Sequence, residues 1–400
     1  MAGALDGIRI LDLTTMLSGP WATMILGDQG ADVLKVETPA GGDHVRALGN
    51  RAGGIAAMFH NNNRSKRSIA IDLKKPDGQA LLKELARASD VLVQNFRPGV
   101  ADRLGIGPAA MREAAPRLIY VSISGFGASG PWSKKPAYDP IIQALTGLTT
   151  IQAGSDHARP RLVRTVLADK ISALTASQAI TAALLARERS GTAQHVEVAM
   201  LDSILGFLWA SDMGSQTYPD QASKHAEAAS FIDLIYETKD GYLTVAVMND
   251  KEWAGLTRAL GRPDLLTDPR FSTPAARDRH VNDRLALTQD ALLTATSAEW
   301  IARLEAEDVP CAPVLLRSQV VDHPQVVANG SIVEYAHPRS GQIRQARPPV
   351  KFEETPSEIR RGAPGLGEHT EEILREFGLA ETRIASLIAD GVVARQPPAP

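Results

Sequence analysis

The first 125 residues alternate between two kinds of segment, and this alternation limits the chain to few folds. The predicted strands are the apolar stretches Ile8–Leu13, Ala31–Glu37, Ser68–Leu73, Asp90–Gln94 and Arg117–Ser124. Between them, Gly19–Gly27 and Asp77–Ala88 have the composition and spacing of helices. Strands that alternate with helices form a parallel sheet covered on both faces. The sequence therefore predicts an α/β fold.

Composition and charge exclude several functional classes. With 44% hydrophobic and 22% charged residues among 400, the chain can bury a large core. A net charge of -3 gives no basic surface for nucleic acid, so we expect no nucleic-acid partner. One cysteine, Cys311, excludes an internal disulfide. The N-terminus has no signal-peptide pattern, and no apolar run reaches the roughly 18 residues of a membrane span. We predict a cytoplasmic protein that does not enter membranes.

A change in composition divides the chain. After a predicted helix at Met200–Met213, periodicity fades over 215–230, which we interpret as a linker. Strands predicted at Asp233–Thr238 and Tyr242–Met248 begin a second module. The predicted parts are 1–214 for the N-terminal part of a large domain, 215–230 for a linker, 231–322 for a small domain, and 323–400 for a return linker and the C-terminal part of the large domain.

Asp169 stands where an apolar, strand-like stretch, Leu162–Leu167, gives way to a long predicted helix, Asp169–Arg189, with Gly191 as its stop signal. The helix dipole stabilises a carboxylate at this end, so we expect Asp169 to be ionised at neutral pH. Position alone favours a structural N-cap over a nucleophile.

Basic and amide side chains follow several predicted strands. The set comprises Arg46, Lys74, Lys75, Asn95, Arg97 and Arg103. Ligands in such sheets sit beyond the carboxyl ends of the strands, so these groups suit phosphates, although each alone fits a solvated surface as well. The first βα turn, Thr14–Pro20, lacks the glycines of a dinucleotide fingerprint even though the acidic Glu37 ends the next strand. His44, His60 and His195 show neither metal-ligand spacing nor a partner serine, and no metal site is predicted.

A set of short motifs is spread from the first predicted strand to the segment after the long predicted helix: Leu5–Leu13, Gly30–Glu37, Gly42–Asp43 with Arg46, Asn63–Ser68, Asn95–Gly99, Ser124–Gly127, Ala137–Asp139, Leu167–Asp169 and Arg189–Gln194. Together these motifs resemble CoA-transferase family III, the group that includes formyl-CoA transferase, carnitine CoA-transferase and α-methylacyl-CoA racemase. These motifs occur in the family's order across half the chain. The resemblance implies a Rossmann-like large domain, an inserted smaller α/β domain, and a homodimer of two interlocked rings.

The resemblance also implies a site and a chemistry. Asp169 falls on the family's catalytic aspartate, which would carry the acyl group and then CoA. The positions that match CoA contacts are Met16, Leu17, Thr38, Ile71, Lys74, Asn95, Phe96, Arg103, Tyr138 and Met200, with Lys135 as a further phosphate contact. The implied substrates are an acyl-CoA donor and a carboxylic acid acceptor, with coenzyme A as the only cofactor and no metal.

Two departures from the family bear on the reaction. The racemases carry a histidine where this chain has Tyr138, so an α-methylacyl-CoA racemase-like activity is the less favoured alternative. The glycine-rich loop of formyl-CoA transferase has no counterpart at Val247–Asp250, so oxalate and formyl-CoA are not supported as substrates. A CoA-binding protein without turnover is the third alternative, and the presence of Asp169 argues against it.

Overall fold

The computed structural model describes residues 2–220 and 234–396, which divide into two compact units. Among the described residues, the first unit comprises 2–152, 160–220 and 330–396, and the second comprises 153–159 and 234–329. Residues 221–230 of the predicted linker and 231–233 of the predicted small domain lie outside the described residues. The predicted bounds of the domains therefore stay predictions.

The N-terminal part of the first unit contains eight strands and ten helices among its described residues. The strands are β1 (Arg9–Asp12), β2 (Asp32–Glu37), β3 (Arg51–Ala52), β4 (Ile55–Ala56), β5 (Lys66–Ile71), β6 (Val91–Gln94), β7 (Ile119–Ser124) and β8 (His195–Ala199). The helices are α1 (Ser18–Asp28), α2 (Ala57–Asn63), α3 (Pro76–Arg87), α4 (Val100–Arg103), α5 (Pro108–Ala114), α6 (Asp139–Leu145), α7 (Leu148–Ala153), α8 (Leu167–Ser190), α9 (Met200–Trp209) and α10 (Gly214–Thr217), with a 3-10 helix at His44–Ala47.

In the second unit, strands β9 (Ile235–Glu237), β10 (Tyr242–Val245) and β11 (Cys311–Pro313) form an antiparallel sheet with β10 in the centre. Its helices are α11 (Asp250–Ala259), α12 (Pro274–Arg279), α13 (Val281–Leu292), α14 (Ser297–Glu305), α15 (Arg317–Val320) and α16 (Pro324–Ala328), with a 3-10 helix at Pro263–Leu266. Trp253, Phe271 and Trp300 are buried in the core of this unit.

The chain then returns to the first unit. It forms an antiparallel hairpin, β12 (Ile332–His337) with β13 (Gly341–Ala346), then helices α17 (Thr370–Glu376) and α18 (Glu381–Ala389) and strand β14 (Val393–Ala394). Strand β14 completes a seven-stranded sheet in the order β14-β5-β2-β1-β6-β7-β8. Six of these strands are parallel, which confirms the predicted parallel sheet, and the antiparallel edge strand β14 was not predicted.

Two apolar cores cover the faces of this sheet because side chains alternate along each strand. On β1, Ile10 faces the core formed with α1 and α8, whereas Leu11 faces the core formed with α3 and α17. Both side chains are fully buried. The two-sided burial explains why the central strands read as continuous apolar runs.

Three sequence predictions need correction or completion. Leu162–Leu167 forms no strand, and α8 begins at Leu167 instead. The helix predicted at Met200–Met213 ends at Trp209, and the strand predicted to reach Met248 ends at Val245. Gly191 caps α8 with a φ of 72°, which confirms its predicted role as a stop signal.

Among residues 2–220 and 234–396, no helix has both the length and the apolar content to cross a membrane.

Candidate active site

The sheet topology fixes where a ligand cavity can form. From β1 the strand order runs through β2 to one edge and through β6 to the other, so the loops after β1 and β6 separate at a switch point. Asn95 follows β6 and joins these two loops. Its Oδ1 accepts the Thr15 N–H at 3.0 Å, and its Nδ2 donates to the Thr15 carbonyl at 2.8 Å. Asn95 therefore holds the first loop beside the second.

A cavity of about 440 Å³ opens at this switch point. It is lined by Thr15, Met16, Leu17, Ser18, His44, Met58, Asn95, Phe96, Arg97, Pro98, Ile123, Ser124, Gly125, Ser133, Lys135, Ala137, Tyr138, Asp139, Pro140, Val166, Asp169 and Met200. The structure thus places eight of the predicted site residues around one cavity: Asp169, Met16, Leu17, Asn95, Phe96, Lys135, Tyr138 and Met200.

Four predicted CoA contacts lie outside this cavity. Thr38 is exposed after β2, and Lys74 and Arg103 are exposed in the segments after β5 and β6. Ile71 is the last residue of β5, and its side chain is packed in the core at 1% exposure. All four lie at or after the carboxyl ends of parallel strands, so they share an edge of the sheet with the cavity. Their role in CoA binding stays a prediction.

Asp169 lies in the first turn of α8, three residues after the N-cap Val166. The N-cap interpretation from the sequence is therefore wrong. The main-chain N–H of Asp169 donates to Oδ2 of Asp139 at 3.2 Å, so the buried Asp139 fixes the start of the helix. The Asp169 carboxyl lines the cavity at the positive end of the helix dipole.

The surroundings of Asp169 make its charge costly. Burial raises the pKa of Asp169, and the nearby Asp139 carboxylate raises it further. Hydrogen bonds from the hydroxyl and the main-chain N–H of Ser18 lower it. The balance of these effects is a pKa of about 6 for Asp169. At this pKa most of the carboxyl is ionised at neutral pH, but the pKa is raised, whereas the sequence analysis considered only the helix dipole, which favours the charged form. A carboxylate with this pKa, at a cavity wall, has the character of a reactive group.

The predicted basic set divides in the structure. Arg97 lines the cavity, whereas Arg46 is held by Glu37 at 2.7 Å and packs over the Phe59 ring at 3.7 Å. Arg46 is therefore committed to a buried ion pair and is not a phosphate contact. The Lys75 ammonium donates to the Asp390 carbonyl. The Lys135 ammonium stands 3.5 Å from the centre of the exposed Trp132 ring, at the rim of the cavity.

The structure also brings together residues that the sequence did not single out. Ser18, His44 and Asp139 line the cavity with Asp169. Asp139 was visible only as the end of the Ala137–Asp139 motif. Ser18 begins α1 and carried no local signal of a site, and His44, which begins the 3-10 helix, was interpreted from the sequence as a structural or surface residue.

The remaining histidines lie outside this cavity. His195 Nε2 lies 2.9 Å from Ser122 Oγ, so the expectation that it has no serine partner is wrong. That hydroxyl also accepts from Gln94 at 2.9 Å. His60 Nε2 contacts Ser340 Oγ at 2.9 Å, and burial lowers the pKa of His60 to about 4. In the described part of the chain, no group of three or more His, Cys, Asp or Glu side chains is arranged to hold a metal ion.

Comparison with known proteins adds to this geometry. Residues 5–370 match the model of the family described as CoA-transferase family III. An acyl-CoA transferase from Fusarium pseudograminearum is 36% identical over 98% of this chain and 88% of its own length. The succinyl-CoA:glutarate CoA-transferase of Homo sapiens is 33% identical over 97% of this chain and 90% of its own length. The crystal structure of a CAIB/BAIF family protein from Brucella suis superposes with a TM-score of 0.82 at 30% identity, covering 94% of this chain and 100% of that one.

Proposed function

The chain belongs to CoA-transferase family III and is a CoA-transferase, and from this premise we propose that it moves CoA from an acyl-CoA to a carboxylic acid through covalent intermediates on Asp169. One observation carries the proposal. The Asp169 carboxyl lines the cavity at the switch point of the sheet, and no ion pair in the described part of the chain neutralises it. A carboxylate that is ionised, poorly solvated and accessible to a ligand is suited to nucleophilic attack.

In the first step, a carboxylate oxygen of Asp169 attacks the thioester carbonyl of the donor. A carbon–oxygen bond forms, the carbon–sulfur bond breaks, and CoA leaves as its thiolate. The product is a mixed anhydride between the acyl group and Asp169. The attacking group is already an anion, so this step requires no general base.

In the second step, the CoA thiolate attacks the side-chain carbonyl of Asp169. The donor acid leaves as a carboxylate, and CoA becomes a thioester of the enzyme. The acceptor carboxylate then attacks this thioester, so that a carbon–oxygen bond forms, the carbon–sulfur bond breaks and CoA leaves as its thiolate, which gives a second anhydride. The thiolate attacks the acceptor's carbonyl in this anhydride and releases the new acyl-CoA and free Asp169. Each step exchanges one acyl bond for another, so no ATP is consumed and no net proton moves.

The positions of the other predicted residues support a path for CoA. Its thiol end would meet Asp169 beside Met16, Leu17 and Met200 in the cavity. Its phosphates would extend toward cations at the carboxyl edge of the sheet, namely Lys74, Arg103 and Lys135. Thr38 and Ile71 lie along the same edge. The homodimer of interlocked rings and the inserted small domain are supported by the family resemblance, and the cytoplasmic location is supported by the single cysteine. All three stay part of this proposal.

The racemase-like alternative receives less support. A racemase needs a free acid/base pair beside the α-carbon of its substrate, and Tyr138 occupies the place of the family's racemase histidine. Asp139 already accepts the Asp169 N–H with one oxygen and the Gln143 amide with the other. It is therefore engaged in holding α8, whereas Asp169 faces the cavity.

The Asp169→Asn variant tests this function. We expect the wild type to exchange CoA with at least one pair from a panel of acyl-CoAs and acids that includes succinyl-CoA and glutarate, the substrates in the name of the human relative. The variant should lose at least about a thousand-fold in exchange rate, because the nucleophile is gone, and should bind CoA within about threefold of wild type. A variant that retained exchange would remove the nucleophile from the proposal.

A further inference from the structure

We propose that Asp43 is a positioning residue for this reaction: with its buried partner Lys35 it holds the loop after β1 in a left-handed backbone conformation that presents Ser18 to Asp169. The inference rests on the proposed function for its catalytic readout. The loop comprises residues 13–17 and leads directly into α1. Neither Asp43 nor Lys35 lines the cavity, so both act through the loop.

Met16 is the strained point of this loop. Its φ is +71°, in the left-handed region, where a side chain with a Cβ is disfavoured and glycine is not. Such a conformation persists only where the surroundings impose it. Here the Met16 N–H donates to Oδ1 of Asp43 at 3.1 Å. Asp43 thus supplies the partner that the unfavourable backbone requires.

Asp43 is itself fixed on several sides. Its Oδ1 also accepts the Val45 N–H at 3.1 Å, and its own N–H donates to Glu37 at 3.0 Å. Its Oδ2 pairs with the Lys35 ammonium at 3.1 Å, with both side chains fully buried. The same ammonium donates to the Thr14 carbonyl at 2.9 Å. The ion pair therefore holds the loop at Thr14 and at Met16, on both sides of Thr15.

Thr15 is held from the opposite direction. Asn95 accepts its N–H and donates to its carbonyl, so the loop is bound on one side by β6 and on the other by the Lys35–Asp43 pair. Three consecutive residues thereby have their main-chain groups satisfied by side chains from other elements. These hydrogen bonds restrain the backbone of the loop at Thr14, Thr15 and Met16.

The charges beneath the loop form a balanced cluster. Three carboxylates, Asp12, Glu37 and Asp43, face three cations, Lys35, Lys66 and Arg46, through pairs of 2.7 to 3.1 Å. Burial alone would lower the pKa of Lys35, but Asp12, Asp43 and Glu37 together raise it, so the ammonium stays charged. Buried ion pairs add little stability over apolar packing of the same volume, and their better attested use is to specify one arrangement.

The consequence for the reaction lies at the end of the loop. Ser18 is the first residue of α1 and is buried, and its hydroxyl and main-chain N–H both approach the Asp169 carboxyl. Rotation of the backbone at Met16 would move both donors. The carboxylate would then lose the groups that orient it and that stabilise its charge.

Four variants separate this role from general stability: Met16→Gly and Met16→Ala, each made with Asp43 present and with Asp43→Ala. Glycine and alanine both remove the Met16 side chain, so their comparison isolates the Cβ. The readout is the rate at which a saturating acyl-CoA labels Asp169. With Asp43 present, the two rates should agree within about twofold. With Asp43→Ala, acyl-CoA should label Asp169 about tenfold faster in Met16→Gly than in Met16→Ala, because alanine disfavours the left-handed conformation at position 16 and glycine does not.

Equal rates for glycine and alanine in both backgrounds would overturn the proposal, because general destabilisation by Asp43→Ala cannot be relieved by a glycine at Met16. If circular dichroism shows that Asp43→Ala is unfolded, Lys35→Met/Asp43→Leu replaces it. That background removes both charges together and carries the same prediction.

A readout independent of turnover distinguishes this proposal from the proposed function. With Asp43 present, hydrogen exchange of the main-chain amides of residues 14–18 should be slow in both Met16 variants. With Asp43→Ala, the same amides should exchange faster in Met16→Ala than in Met16→Gly. This pattern without any labelling of Asp169 would contradict the proposed function and support the positioning role. Labelling of Asp169 without this exchange pattern would support the proposed function and contradict the positioning role of Asp43.

Discussion

Two carboxylates of the first unit, the fully buried Asp12 and the half-buried Asp169, have opposite electrostatic surroundings. Asp12 ends β1 and lies 2.8 Å from the Lys66 ammonium, both fully buried. Burial would raise the pKa of Asp12, but Lys66 and Lys35 outweigh it and hold that pKa well below its usual range. Asp169 has a carboxylate neighbour in place of a cation, and its pKa rises to about 6.

The comparison shows that burial alone does not decide what a carboxylate does. A buried carboxylate with cationic partners is an inert part of the scaffold, whereas one that is left with hydrogen-bond donors and a like charge is poised to react. The loop after β1 is hydrogen-bonded to the scaffold cluster, and it lines the same cavity as Asp169. The following predictions test this contrast.

The largest effect is expected in the scaffold. Lys66 donates to Asp12 Oδ2 at 2.8 Å, to the Pro20 carbonyl at 2.8 Å and to Asn63 Oδ1 at 2.9 Å. Lys66→Met should lower the free energy of unfolding by about 3–5 kcal/mol, because it leaves Asp12 buried with one cation fewer. Urea denaturation followed by circular dichroism measures this loss.

A matched control is available at the surface of the second unit. Lys251 pairs with Asp308 at 3.2 Å, with side chains 79% and 77% exposed. Lys251→Met should change the free energy of unfolding by less than about 0.5 kcal/mol. If Lys66→Met and Lys251→Met lowered the free energy of unfolding by the same amount, the buried cluster would not differ in stability from an ordinary surface ion pair.

An opposite and smaller effect is expected at the reactive carboxyl. The pKa of Asp169 is higher in the folded protein than in the unfolded chain, so ionisation of Asp169 opposes folding. Asp169→Asn should therefore raise the free energy of unfolding at pH 7.5 by about 1–2 kcal/mol, less than the roughly 3 kcal/mol that two pKa units represent. The gain should shrink as pH falls from about 6 toward about 4, where both states become protonated.

The same urea titrations at pH 7.5 and pH 5 measure this dependence. Asp12→Asn serves as the comparison, because it removes a carboxylate whose pKa is lowered and should destabilise the protein. A loss of stability in Asp169→Asn that was equal at both pH values would show that the carboxyl acts as a structural group.

The smallest effect concerns the neighbour of Asp169. The rate of a single turnover should fall about tenfold for each pH unit below about 6 as Asp169 becomes protonated. Asp139→Asn keeps an oxygen for the Asp169 N–H but removes the negative charge, so the pKa of Asp169 should fall. We expect the midpoint of the pH profile to move down by about half to one unit. A midpoint that stayed in place or moved up would exclude Asp139 as a cause of the raised pKa.

Local patterns predicted the sheet well because the alternation of apolar strands and helices is a property of neighbouring residues. Asp169 was singled out at a helix start for the same reason, and the family resemblance supplied its role. The strand at Leu162–Leu167 was wrong because an apolar run forms a strand only beside another strand. Here the Val163 N–H donates to the Gln143 side chain at 3.0 Å instead.

The charges were harder to predict than the fold. Arg46 and Glu37 are nine residues apart, and their ion pair forms because the chain turns back after β2. Lys35 and Lys66 lie on adjacent parallel strands and are fully buried, against the usual tendency of lysine. Ser18 and Asp139 reach Asp169 from the starts of two separate helices, α1 and α6. Such contacts depend on the packing of whole elements, which a local pattern does not contain.

The covalent route through Asp169 is the central claim, and one measurement tests it most directly. The protein is incubated with a panel of acyl-CoAs and no acceptor, quenched, and digested, and the peptide that contains Asp169 is weighed by mass spectrometry beside that of Asp169→Asn. We predict an acyl or CoA adduct on Asp169 with at least one donor, and none on the variant. An unmodified Asp169 peptide with every donor, in a protein that binds CoA and exchanges it, would contradict the account.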